Sequence, residues 1–230
     1  MKLCPFFTGG PLLLTIGVSI FGLADSMTLI VSDLAGVGQF HFMRSFLIAL
    51  MVLYLAKFFK LSAIPKRWPP LLIRTGCMVT AIILYFTAMP MMPMAEAGAG
   101  LFTSPIFVLI ISNIFFKERI TVAQTIAVAL GTAGIILIFL PKFDYLSVYH
   151  FFPIFAGALY AMGSIVTYRY LREESPLAIL MMYVISIGIF GSILATIFTL
   201  VPVPMELFNR APFLFSPWVM VNQEYLFWIS

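Results

Sequence analysis

Four side chains in this sequence stand where a charge is costly: Asp25, Arg44 and Glu96 lie within long apolar stretches, and His41 sits near the start of one. An ionised group facing lipid at the bilayer centre costs about 2.5–3.5 kcal/mol on insertion scales, so such residues turn toward protein or water. Counted along their stretches, Asp25, Arg44 and Glu96 fall at a similar depth toward one end of a helical bundle. That placement lets Asp25 pair with Arg44 beside a vestibule where Tyr85 and Glu96 converge, and these four are the expected substrate or ion pathway. A guanidinium held there suits a carboxylate or phosphate on a solute, because its planar fork donates two parallel hydrogen bonds. Asp25 is placed to exchange a coupling proton. The plainer alternative is that Asp25 and Arg44 neutralise one another so that the bundle can insert. His41 is expected at the interface rather than in a proton relay.

Little else in the sequence can carry a reaction. Glu173 and Glu174 make a tempting carboxylate pair, but they fall in a loop with no histidine near them, since His41 and His150 belong to the opposite end. No HExxH, GxSxG or Walker pattern is present. Cys4 and Cys77 form neither a disulfide framework nor a CxxC metal site. The 14 methionines suit irregular gaps between helices rather than a copper path. No catalytic residue, no cofactor and no metal ligand are therefore expected, and an intramembrane enzyme is a distant third reading.

The elements that must position these residues are membrane helices. The 230 residues are 62% hydrophobic and 10% charged, where soluble domains average about 45–50% and about 25%. A helix needs about 20 residues to cross a hydrocarbon core of about 30 Å. Seven segments meet that length, approximately 11–30, 37–57, 71–90, 94–115, 121–140, 150–169 and 177–200. The expected class is thus all-α, a polytopic bundle of about seven crossings embedded in a lipid bilayer. Residues 11–30 exceed the roughly 7–15 residues of a signal-peptide core and are taken as a retained first helix.

Charge placement tests these boundaries. They put Lys2, Lys57, Lys60, Lys66, Arg67, Arg74, Lys117, Arg119, Arg169 and Arg172 on one side, leaving Lys142 and Arg210 on the other. By the positive-inside rule the N-terminus is cytoplasmic. The net charge of +4 then reports orientation in a multi-pass protein of the bacterial inner membrane, and no nucleic-acid partner is expected.

Three stretches break the pattern. Pro90 and Pro93 prevent a regular helical hairpin, while Ala97, Gly98 and Gly100 permit close backbone approach, so a tight external turn beside the pathway is expected. Ala127, Gly131 and Gly134 line one side of the fifth helix, a packing face that serves the chain itself and also suits a homodimer. After residue 200, prolines and the aromatics Trp218, Tyr225, Phe227 and Trp228 suggest an interfacial segment. Asn113 is expected to hydrogen-bond between helices.

Residues 95–107, then 116–121, then Gln124 through Gly131, Gly134 and Ile135 resemble the fourth and fifth helices of the EamA-type family in the drug/metabolite transporter superfamily. The shared features are small residues opening the fourth helix, Pro105 within it, Glu118 at its end and glycines in the fifth. Phe42, Met43 and Arg44 resemble the family's second-helix arginine motif. The resemblance implies two inverted five-helix repeats, with residues 1–140 as the first and 141–230 as an incomplete second, a fold that looks truncated. Setting residues 21–25 against 160–164 matches an aromatic and small residues in order, the same offset sets Arg44 against Tyr183, and the five helices between the copies make the second one inverted. The implied function is movement of a small metabolite by alternating access, with or without a coupling proton or cation. The alternative is a non-transporting membrane subunit or an inactive fragment of such a transporter.

Overall fold

The structure is a computed structural model that describes residues 34–139, 148–201 and 203–220, together with residues 12–13, 15–17, 19–20 and 22–23, which are helical. Asp25, and most of the first expected helix, lie outside the described residues. The described chain forms helices α1 (Val37–Phe59), α2 (Trp68–Ala88), α3 (Met94–Leu101), α4 (Ser104–Phe116), α5 (Val122–Phe139), α6 (Phe151–Tyr170), α7 (Pro176–Leu200), α8 (Met205–Arg210) and α9 (Pro212–Phe215). Tight 3-10 turns at Met89–Met91 and Val148–His150 join α2 to α3 and lead into α6. The spans Val37–Phe59, Trp68–Ala88, Ala95–Phe116, Phe151–Tyr170 and Pro176–Leu200 are long and apolar enough to cross a membrane, and α5 adds a shorter apolar helix. The protein is an integral, multi-pass helical membrane protein.

Sequence chemistry sets the helix ends. Prolines occupy the first positions of α2, α4 and α7, where the missing N–H would have no partner in any case. Pro105 does more than start a helix. Its ring would clash with the carbonyl four residues back, so the fourth crossing is not one rod but two helices that break at Phe102 and Thr103. The Thr103 hydroxyl donates to the Gly100 carbonyl at 2.6 Å and takes up part of what the break exposes, as backbone in lipid requires.

Lipid tails are as apolar as leucine, so helices in a bilayer hold together by close packing rather than by burial from water. Two pairs carry most of it, α1 with α7 and α2 with α6. Along the first seam, a Cβ on Gly38 would stand 2.7 Å from the Gly191 carbonyl oxygen, and a Cβ on Gly188 2.9 Å from the Ser45 Cβ. Along the second, a Cβ on Gly163 would stand 2.9 Å from the Met78 Cε. Helix α3 crosses α6 as tightly, for a Cβ on Gly100 would meet the Pro153 Cβ at 2.5 Å. The outer faces of α1 and α7 show Phe46, Tyr54, Phe58, Ile185, Ile189 and Ile193 exposed, a load of apolar surface that lipid accepts and water does not.

The segment after α7 returns to the bundle. Gln39 of α1 donates to the Val219 carbonyl and accepts from its N–H, both at 2.9 Å. Trp218 packs edge-on against Phe42 at 5.3 Å and donates from its backbone and indole N–H groups to Thr199 and Thr196.

The α1–α7 crossing leaves no room for a side chain. Gly191→Leu should destabilise the protein by about 1–3 kcal/mol, the range for overpacking a fitted contact, seen as a lower melting temperature by circular dichroism in detergent. Gly76→Leu, where a Cβ would meet nothing within 4 Å, should leave the melting temperature unchanged.

Candidate functional site

The helices alternate in direction, so the start of α1, the end of α2, the start of α3, the start of α6 and the end of α7 gather at one end. There Phe213 of α9 meets Phe40 and Phe86 with ring centroids 6.4 and 6.2 Å apart. His41 lies edge-on to Phe86 at 4.7 Å, buried rather than interfacial. Gly191 permits this, since a Cβ there would stand 3.0 Å from the His41 Cβ. Tyr85 is buried in the same cluster, its ring 5.4 Å from that of Phe86. Among the described residues these rings form one packed cluster at this end.

Glu96 sits in the first turn of α3. Its Oε2 lies 3.2 Å from Nε2 of His150, with the two side chains 7% and 13% exposed. Where Glu96 is ionised, a proton on Nε2 lets His150 donate to it, so that the carboxylate does not stand unpartnered in apolar surroundings. The sequence reading set His150 aside. The clue was depth, since Glu96 opens one crossing and His150 another at the same end, but 54 residues of chain between them hid the pairing.

Arg44 is half-buried and lies deeper along α1. Its guanidinium carbon is 5.7 Å from the Phe40 ring centroid. Of the four expected pathway residues, then, Tyr85 joins the aromatic cluster, Glu96 meets His150, Arg44 lies by Phe40, and Asp25 is outside the described residues. Among the small residues, Gly100 is buried against α6, while Gly98 has nothing near its Cβ position. Ala127, Gly131 and Gly134 are exposed on α5.

The opposite end is basic. Glu174 accepts the backbone N–H groups of Lys66 and Arg67 at 2.9 and 3.0 Å, and Glu173 pairs with the Arg67 guanidinium at 3.0 Å. Arg169 pairs with Glu118 and lies 3.6 Å above the Phe116 ring. Asn113 donates to the Glu118 carbonyl at 3.1 Å. It therefore ties down the end of α4 rather than bridging helices, because Lys117 turns left-handed with φ 52° and brings the chain back over it. Between α4, α5 and α6 a cleft of about 610 Å³ opens at this end, lined among others by Ser112, Gln124, Ser164, Tyr168 and the Glu118–Arg169 pair. Among the described residues no cluster of His, Cys, Asp or Glu is arranged to hold a metal.

Comparison with known proteins agrees with this membrane architecture. Residues 8–140 match the EamA-like transporter family. Over 106 residues the chain is 30% identical to a riboflavin transporter of Brucella anthropi, a stretch that covers 46% of this chain and 37% of that protein. The match thus spans little more than a third of the curated relative. No solved structure matches the chain.

A buried polar pair announces itself by non-additivity. His150→Leu should cost about 1–3 kcal/mol of stability by stranding the carboxylate, whereas Glu96→Leu with His150→Leu should recover most of that loss. Thermal melts of the two single variants and the double variant check this, and strictly additive losses would show the pair to be uncoupled.

Proposed function

Because the chain belongs to the EamA-like transporter family, we propose that it moves a small metabolite across the bacterial inner membrane by alternating access, with its N-terminus in the cytoplasm. The family and the transporter-named relative point away from an enzyme. The observation that carries the reading is the asymmetry of the two ends: the Phe40, Phe86 and Phe213 rings pack the aromatic end, while the cleft beside Glu118 and Arg169 opens at the basic end. On this reading the solute enters or leaves through the basic end in the conformation described, and the opposite state requires the aromatic cluster to part.

Asp25, Arg44, Tyr85 and Glu96 line the pathway in this account, and the Glu96–His150 pair handles a coupling proton. The division into residues 1–140 and 141–230 gains support from the α1–α7 packing, since an inverted repeat sets Arg44 opposite Tyr183 on these two helices. The small-residue face of α5, with Ala127, Gly131 and Gly134, serves helix packing or a homodimer. Riboflavin is the first solute to test, because the similar protein of Brucella anthropi is named for it.

Uptake of labelled riboflavin and of a metabolite panel into cells expressing the protein tests the function. Arg44→Ala should abolish the uptake of the transported solute while membrane levels stay unchanged, and undiminished transport would remove Arg44 from the pathway. Orientation has its own test in a variant lacking Cys4 and Cys77. A membrane-impermeant maleimide should label Met205→Cys in intact cells and Lys60→Cys only after permeabilisation; the reverse pattern would invert the topology.

A further inference from the structure

We propose that the cleft between α4, α5 and α6 seats an uncharged part of the solute that carries carbonyl or hydroxyl oxygens, with Gln124, Ser112 and Ser164 as the residues that select it. The proposal rests on the transporter reading above and names the chemistry of its substrate. At about 610 Å³ the cleft has the size of small-molecule sites, which run from about 300 to about 1,000 Å³.

The lining is ordered by depth. Helices α4 and α6 both finish at the basic end, at Phe116 and Tyr170. Val108, Leu109 and Ser112 share one face of α4, and Ser164, Ile165, Tyr168 and Arg169 share one face of α6. At about 1.5 Å per residue, Ser112 lies about 6 Å and Ser164 about 9 Å in from those ends, with Val108 about 12 Å in. The charged residues stand at the mouth. There Glu118 pairs with Arg169, whose guanidinium carbon is also held 3.6 Å above the Phe116 ring, and Arg119 is exposed at the rim. Among the described residues that line it, the inner cleft thus carries hydroxyls and aliphatic side chains and no charge. A carboxylate or ammonium group moved in past the mouth would lose water and meet no counter-ion among them, a cost that an uncharged group escapes.

Gln124 fixes the polarity of the hydrogen bonds on offer. It forms a reciprocal cap with Thr121 at the start of α5. Gln124 Oε1 accepts the Thr121 backbone N–H at 2.9 Å and the Thr121 hydroxyl at 3.0 Å, while the Thr121 hydroxyl oxygen accepts the Gln124 backbone N–H at 3.3 Å. With the oxygen spent on the cap, the amide NH2 is the part of this lining side chain left for a solute, and it can only donate. The hydroxyls of Ser112 and Ser164 either donate or accept. A donor on α5 facing the same cleft as hydroxyls on α4 and α6 suits the oxygens of an amide, an imide or a polyol.

The full chain without Cys4 and Cys77, carrying Ser164→Cys and held in phosphatidylcholine nanodiscs, tests this by the rate at which N-ethylmaleimide labels the new thiol. Riboflavin, uridine and nicotinamide are the uncharged probes, and nicotinate is the control that puts a carboxylate in place of an amide. At least one uncharged probe should slow the labelling saturably, and nicotinate should not. Labelling of Lys60→Cys, exposed away from the cleft, should answer none of them. Gln124→Glu keeps the cap, since a carboxylate serves there equally, but it trades the donor for a charged acceptor. It should raise the half-protecting concentration about tenfold with the melting temperature unchanged, and Ser112→Ala should raise that concentration too. No protection by any uncharged probe, equal protection by nicotinate and nicotinamide, or a half-protecting concentration that Gln124→Glu leaves unchanged overturns the seat. Uptake of a solute that neither protects Ser164→Cys nor weakens in Gln124→Glu defeats the seat alone, whereas protection without uptake of any solute defeats the transporter reading.

Discussion

A bilayer gives two helices no reason to associate beyond the closeness with which their surfaces meet. In this protein that closeness is set by glycine, and the polar sites stand where the glycine crossings put them. Glu96 is one turn from Gly100 on the same face of α3, and His150 is three residues before Pro153 at the head of α6. The Gly100–Pro153 contact is therefore what delivers the carboxylate to the imidazole. Arg74 and Met78 share a face of α2, as do Gly163 and Thr167 of α6, so the contact of Gly163 with Met78 places the guanidinium on the threonine hydroxyl.

Depth sorts the remaining chemistry. Loop charges at the basic end satisfy one another across chain connections, as Glu174 does in binding the Lys66 and Arg67 amides. Water reaches that end, so these pairs organise loops more than they stabilise the fold. Within the spans, Arg44 lies by the Phe40 ring and Arg74 donates to the Thr167 hydroxyl. At the aromatic end the Glu96–His150 pair stands beside packed rings, with Phe213 brought in from beyond the last long helix. Among the described residues, then, the cleft lies at the basic end and the packed rings at the other.

The sequence was legible where physics acts locally. The bilayer thickness fixes helix lengths, and residues 37–57, 150–169 and 177–200 were placed to within a few residues of α1, α6 and α7. Pro105 and Gly100 were readable as special, but not their consequence, because breaking the fourth crossing depends on Thr103 being able to bond the Gly100 carbonyl. The partners of His150 and Arg74 went unread for a different reason. Each was judged by its nearest loop, and what it does is decided by residues 54 and 93 positions away. Asn113 erred the other way, credited with a long-range bond when a left-handed turn kept it local. Family likeness, carried by residues 95–135, reached the transporter class through small residues, Pro105, Glu118 and glycines taken in combination.

Counterflow in proteoliposomes tests the central claim most directly. Vesicles containing the purified protein are loaded with unlabelled solute, riboflavin first and then a metabolite panel, and diluted into a trace of the labelled compound. Alternating access predicts that label accumulates transiently above its equilibrium level and then falls, since each outward passage of unlabelled solute returns a site ready for the label. A monotonic rise to equilibrium for a solute that crosses would contradict alternating access, and no protein-dependent movement of any solute would contradict transport itself.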